Sequence, residues 1–236
     1  MPDQIAVRNH LLRAMSAADF AMVEPDLVEV DLVRGQDLVR PGETIEYCWF
    51  MESGIASIVA MTSAGFEAEA GIVGKDGMVD AATILGVDAS PNRCFVQIPG
   101  TGYRLPAPRL GRCLAASTGA RALFNGFAHS LLAQIAGTAL ANAAFTVEQR
   151  LARWLLMCSD RIEGDTIALT HDLLSIMLNV RRASVSDAIG SLQDAGLVMT
   201  GRGVISITDR PGLVRLVGDG YTPSWQANPV RTHRLK

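Results

Sequence analysis

Residues 173–209 read LLSIMLNVRRASVSDAIGSLQDAGLVMTGRGVISITD, and the pattern of these residues changes three times. Thr170 is placed to cap a helix carrying the apolar run Leu173, Leu174, Ile176, Met177 and Leu178. The run breaks at Leu178-Asn179-Val180. Asparagine is one of the few non-glycine residues that tolerates a left-handed backbone, so Asn179 suits a sharp turn between two helices. A second helix is predicted from Arg181, because Val185, Ala188, Ile189 and Leu192 recur at the spacing of one buried face. That spacing turns Arg182, Ala183, Ser186, Asp187 and Gly190 outward, and Gly196 ends the helix. Strand-forming residues from Val198 to Thr208 then flank Gly201-Arg202-Gly203, a tight turn with Arg202 at its tip. Two helices around a turn, followed by a hairpin, outline a winged helix-turn-helix.

The outward face is small and polar, and two adjacent arginines open it at the end where such helices meet base edges. A merely solvated helix more often carries Lys and Glu pairs, so this face favours DNA binding over a structural helical subdomain. The charge balance agrees. The chain of 236 residues has a net charge of −3, which argues against a general nucleic-acid coat. Residues 1–146, however, hold 10 Lys or Arg against 15 Asp or Glu, a net of −5, while residues 147–236 hold 11 against 9, a net of +2. An acidic front and a mildly basic back suit a protein whose DNA contacts are confined to one end.

At this length, with 49% hydrophobic residues, two domains can each bury a core. Met1 to Met22 lacks a continuous apolar stretch and carries Arg8, His10, Arg13 and Asp19, so no signal peptide is read and the expected location is cytosolic, without membrane contact. Cys48, Cys94, Cys113 and Cys158 show no metal or iron-sulfur spacing and are read as buried thiols.

From Leu27 to Leu105, short strand-like runs alternate with Gly-containing turns at Gly35, Pro41-Gly42, Ser53-Gly54, Ala64-Gly65, Gly77 and Pro99-Gly100, which predicts an antiparallel jelly roll. Thr118 to Ala144 is rich in Ala and Leu, and Phe124, Ala128, Leu131, Ile135, Thr138, Asn142 and Phe145 alternate steps of four and three. That stripe fits a helix pairing with its own copy, and also a helix packed on its own domain. Gly126, Gly137, Ala136 and Ala139 would let a second backbone approach closely. Thr146 and Gln149 have capping-box spacing, so a new helix starts there. The expected organisation is α+β: an effector domain over 1–117, a dimerisation helix over 118–145, a winged domain over 146–220 and a loose tail over 221–236.

This order resembles the Crp/Fnr family of bacterial transcription regulators over about residues 20–217. The likeness is strongest from Met177 to Val198, and it is supported by Arg150-Leu151-Ala152, which matches an R-[IL]-A start of the family's corresponding helix. The resemblance implies a homodimer through residues 118–145, double-stranded DNA and RNA polymerase as partners, and no enzymatic activity. It implies base-facing positions at Arg182, Ala183 and Asp187 within a DNA-binding set of Arg181, Arg182, Ala183, Ser184, Ser186, Asp187 and Arg202. The best-known family pattern has glutamate in the middle of the three and arginine last, so a different operator is expected. Arg182 can bind guanine, Ser186 a base or phosphate, and Asp187 can accept from cytosine or orient an arginine. Arg181 and Arg202 suit phosphate.

Family members that bind cyclic nucleotides use a Gly-Glu pair and an Arg-Ser or Arg-Thr pair. Here Gly77-Met78-Val79-Asp80-Ala81 occupies the first region and Arg93-Cys94 the second, which leaves Asp80, Arg93 and Cys94 as candidate ligand residues. Ile135 and Ala136 fall where the family's cyclic-AMP receptor has hydroxyls facing adenine. These departures argue against cyclic AMP, and no other cofactor is identified. Two further readings are weaker. A cupin-type metalloenzyme needs histidines on its sheets, and Leu27 to Leu105 has none. A cyclic-nucleotide-binding module acting on a protein partner through the long helix leaves the winged domain without a purpose.

Overall fold

The computed structural model describes residues 2–223; Met1, residues 224–236 and the Asp172 side chain lie outside it, and with them most of the segment expected to be a loose tail. Two short helices come first, α1 (His10–Ala14) capped by Asn9 and α2 (Ala17–Val23) capped by Ser16, neither of them among the predicted elements. Seven antiparallel strands follow: β1 (Val28–Leu32), β2 (Asp37–Val39), β3 (Tyr47–Met51), β4 (Ile55–Met61), β5 (Glu67–Val73), β6 (Arg93–Ile98) and β7 (Gly100–Pro106). They form two facing sheets, β1-β7-β3 and β2-β6-β4-β5, so the predicted roll is present.

Strand alternation gives the larger sheet two working faces. Ala56, Ile58, Val73, Cys94 and Val96 point inward and belong to the core of the roll. Ile55 and Ile72 instead join the core of the C-terminal domain, with Phe95 and Ile98 packed against it. All four cysteines are buried thiols, as their spacing implied.

Three helices continue the chain: α3 (Ala107–Ala116), α4 (Thr118–Ala144) and α5 (Val147–Ser159). α4 matches the predicted span. Thr146 and Gln149 form the expected capping box, which separates α4 from α5. The predicted seam on α4 is only partly open. Phe124, Ala128 and Leu131 are buried in the roll's own core, because the helix must cover the open side of the sheets. Gly77 ends the predicted turn, its amide donating to the Gly74 carbonyl at 3.1 Å, and a Cβ there would overlap the Phe127 ring, so glycine also permits the close approach of α4.

The C-terminal domain adds β8 (Thr166–Ala168), α6 (His171–Met177), α7 (Arg182–Asp194), β9 (Val198–Gly201), β10 (Val204–Ile207) and α8 (Arg210–Val217). Its sheet has the order β8-β10-β9, one strand more than the predicted hairpin. Tyr221, expected in the loose tail, is buried and its hydroxyl donates to Asp160 at 2.8 Å, while Arg210 binds Asp160 at 2.7 Å. Among the described residues, no helix is long and apolar enough to cross a membrane.

The two domains meet around a buried carboxylate. Glu69 on β5 accepts from Ser57 Oγ at 2.6 Å and from Trp154 Nε1 of α5 at 2.7 Å. Beside it, Arg161 forms a buried ion pair with Asp76 at 2.7 Å. Burial pushes the Glu69 carboxyl up from 4.5 to about 7, against the pull of the two hydrogen bonds and of Arg153 and Arg161. A carboxyl raised in the folded state binds more protons folded than unfolded, so its contribution is complete below the unfolded value and is lost as pH rises through about 7. Between pH 5 and 8 this group should therefore lower stability by up to about 3 kcal/mol. Urea titrations over that range should show a downward slope in the wild type that Glu69→Gln flattens; equal slopes would show that Glu69 does not titrate there.

Candidate nucleic-acid interface

Local chemistry builds the reading head. Thr170 Oγ1 accepts from the Leu173 amide at 3.3 Å and caps α6. The helix closes at Leu178, and Asn179 takes the left-handed conformation (φ 48°) that its position implied. Val185, Ala188, Ile189 and Leu192 are all buried, which fixes the roll angle of α7. Arg182, Ala183, Ser186 and Asp187 are accordingly exposed, Ser184 is half-buried, and Arg181 stands exposed at the N-cap. The structure thus brings six of the predicted residues onto one end of one helix.

Arg202, the seventh, is exposed in the two-residue loop between β9 and β10, where Val204 pairs with Gly201 and Gly203 has a φ of 73°. Thr200 Oγ1 on β9 donates to Gln193 Oε1 of α7 at 2.8 Å, which ties the wing to the helix. Arg181 also lines a groove shared by the turn after α6 and the tip of the β4–β5 hairpin, Gly65 to Glu67.

Two supporting contacts escaped the sequence reading. The Arg150 guanidinium donates to the Leu178 carbonyl at the end of α6, so the arginine that opens the R-[IL]-A pattern anchors the turn between the two helices. His171 Nδ1 lies 3.2 Å from Ser186 Oγ, joining the first turn of α6 to the exposed face of α7. Neither contact leaves a local sequence signal, since each joins residues 28 or 15 positions apart.

Of the candidate ligand residues, the structure brings Asp80 and Cys94 together but not Arg93. Asp80, with φ 63°, and Cys94 meet at 3.9 Å. Arg93 lies on the opposite face of β6, bound to Asp37 at 2.7 Å and stacked over Phe95. Neighbouring strand residues point to opposite faces, and here Arg93 and Cys94 face different sides of β6. The roll does hold a cavity of about 270 Å³ against α4. Its walls are mainly apolar, including Ile58, Leu85, Val87, Leu131 and Ile135, and among the described residues Asp80 is the only charged one lining it. Ile135 faces this cavity, while Ala136 is exposed.

The chain is thus a β roll joined by a long helix to a winged helix-turn-helix. Residues 149–216 match the Crp-like helix-turn-helix domain family. The C-terminal domain is similar to that family over this span, and the whole chain has the fold of the Crp/Fnr-type transcription regulators. Among solved structures, FixK2 from Bradyrhizobium japonicum is 15% identical with a TM-score of 0.70, covering 81% of this chain and 98% of its own. A Crp-family transcriptional regulator from Thermus thermophilus is 16% identical (TM-score 0.67; 82% and 99% covered). The c-di-GMP responsive regulator CLP from Xanthomonas campestris is also 16% identical (TM-score 0.63; 82% and 100%). No curated protein matches the sequence.

The left-handed Asn179 gives this motif a direct test. Asn179→Ala should destabilise the protein by about 1 kcal/mol, because alanine lacks asparagine's tolerance of that conformation, while Asn179→Gly should cost little or nothing. Urea midpoints that fall equally for both variants would place the loss in the side chain's contacts rather than in the backbone.

Proposed function

We propose that this protein is a homodimeric, sequence-specific DNA-binding transcription regulator. The observation that carries the reading is the exposed face of α7, which starts with Arg181-Arg182 and continues through Ser186 and Asp187 on a helix whose opposite face is fully buried. Arg182 makes a bidentate contact to guanine, Ser186 reaches a base or phosphate, and Asp187 accepts from cytosine or orients an arginine. Arg181 and Arg202 hold phosphates and set register.

The dimer surface follows from what the roll leaves uncovered on α4. Asn125, His129, Leu132, Ala136, Ala139 and Ala143 are exposed and alternate steps of four and three, the rhythm of the predicted seam displaced by one residue. Leu132 is 58% and Leu140 59% exposed, and small residues between them allow close packing with a second copy. A twofold dimer places two recognition helices about 34 Å apart, which calls for a near-palindromic operator. The roll cavity would admit a small, mainly apolar effector; among the described residues that line it, a cyclic nucleotide's phosphate finds no cation.

The test is selection of bound sequences from random duplexes, followed by binding to the selected site. Arg182→Ala should lose about 1–3 kcal/mol on that site and relax discrimination at one position per half-site. Equal weakening on random DNA would make Arg182 a phosphate contact. Arg202→Ala should weaken all duplexes alike and reduce the salt slope by about one. In sedimentation experiments, the double variant Leu132→Glu/Leu140→Glu should be monomeric; a dimer of unchanged affinity would place the interface elsewhere.

A further inference from the structure

A second cavity, also about 270 Å³, lies at the junction of the domains, between β5, α4, α5 and residues 219–222. It meets Phe127, Gln134 and Gly137 of α4, which do not line the roll cavity, and shares Leu131 with it. Its walls combine hydrocarbon from Ile72, Phe127, Leu131 and Met157 with two guanidinium groups, Arg153 and Arg161, only 8% and 4% exposed. Buried charges are ordinarily paired, because desolvating an ion costs several kcal/mol.

The pairing here is incomplete. Arg161 binds Asp76 at 2.7 Å and the Met157 carbonyl at 2.7 Å, but its buried Nε has no hydrogen-bond partner among the described residues. Arg153 donates to neutral acceptors: the Gly220 carbonyl at 2.9 Å, Thr138 Oγ1 at 3.2 Å and the Gln134 carbonyl at 3.4 Å. Among the described residues, no carboxylate lies within ion-pair distance of it. The space around it is also kept open, since a Cβ at Gly137 would come within 3.0 Å of Arg153 Nη2. Gly137, read from the sequence as a place for a second helix, makes room for this guanidinium.

We propose that the junction cavity binds a small monocarboxylate with an apolar body, its carboxylate held by Arg153 beside Arg161 and its hydrocarbon against Ile72, Phe127 and Met157. Asp76 and Asp219 in the lining offset the two guanidiniums overall, but Arg153 has no carboxylate of its own within ion-pair distance among the described residues, which suits a single carboxylate, whereas a phosphate dianion would meet both Asp76 and Asp219. The volume falls just below the range of drug-sized sites and suits a small ligand. A ligand there touches the roll, the long helix and the first helix of the winged domain together.

Octanoate is the probe, with octanol as its uncharged counterpart, in calorimetric titrations of the full chain without DNA, so that the outcome is independent of the operator reading. Octanoate should bind once per protomer, octanol at least tenfold more weakly. Arg153→Gln should weaken octanoate at least tenfold, while Arg93→Gln, on the outer face of the roll, should not. If Arg153→Gln fails to fold, Arg161→Lys and the octanoate-octanol comparison still decide, the lysine variant losing at least threefold. Equal affinity for acid and alcohol, undiminished binding in the Arg153 or Arg161 variant, or no binding of octanoate overturns the proposal. So does binding that occurs only after removal of residues 224–236, which would make that segment the occupant.

Discussion

The contact on which the rest of the molecule depends is the one between Glu69 and Trp154, because it is where the roll and the winged domain become one body. Ser57 and Glu69 come from adjacent strands of the roll, Trp154 from α5, and Met177 Sδ of α6 lies 3.6 Å from the same Ser57 hydroxyl. A buried carboxylate held in this way couples its donors: removing either leaves an unsatisfied group in a low-dielectric site, where that is expensive. The network therefore fixes where α5, and through Arg150 the turn before α7, stands relative to the sheet. The orientation of the reading head follows from it.

The long helix answers two demands with adjacent rows of its surface. Phe124, Ala128 and Leu131 close the roll, and the row one residue further on remains exposed from Asn125 to Ala143. On a helix, one residue is a rotation of about 100°, so the two rows face different neighbours although they share one spacing. A third row carries Gln134, whose side chain accepts from the Ile72 amide at 2.7 Å and donates to its carbonyl at 3.1 Å, pinning α4 to β5. Gln134 thus ties the roll directly to the helix that bears the proposed dimer surface.

The buried cations of this chain are unevenly placed. Arg93, the arginine that the likeness assigned to phosphate, faces away from the roll and neutralises Asp37. The buried cations stand at the domain junction, close to Glu69, and the roll interior keeps Asp80 as its charged group.

The sequence by itself determined the local parts. The capped α6, the left-handed Asn179, the buried face of α7, the hairpin with Arg202 at its tip, the span of α4 and the Thr146 capping box all follow from interactions within a few residues of one another, and such interactions leave periodic or positional signals. α1, α2, α3 and β8 were not legible, being short elements whose stability comes from what they pack against. Only the tertiary structure decided which row of α4 is covered, which face of β6 holds Arg93, why Gly77 and Gly137 lack side chains, and that Arg153 and Arg161 meet beside Glu69. Each of these is set by contacts between residues far apart in the chain, and a one-dimensional pattern that repeats equally well on two neighbouring rows, or on either face of a strand, carries no information about which of them meets a partner.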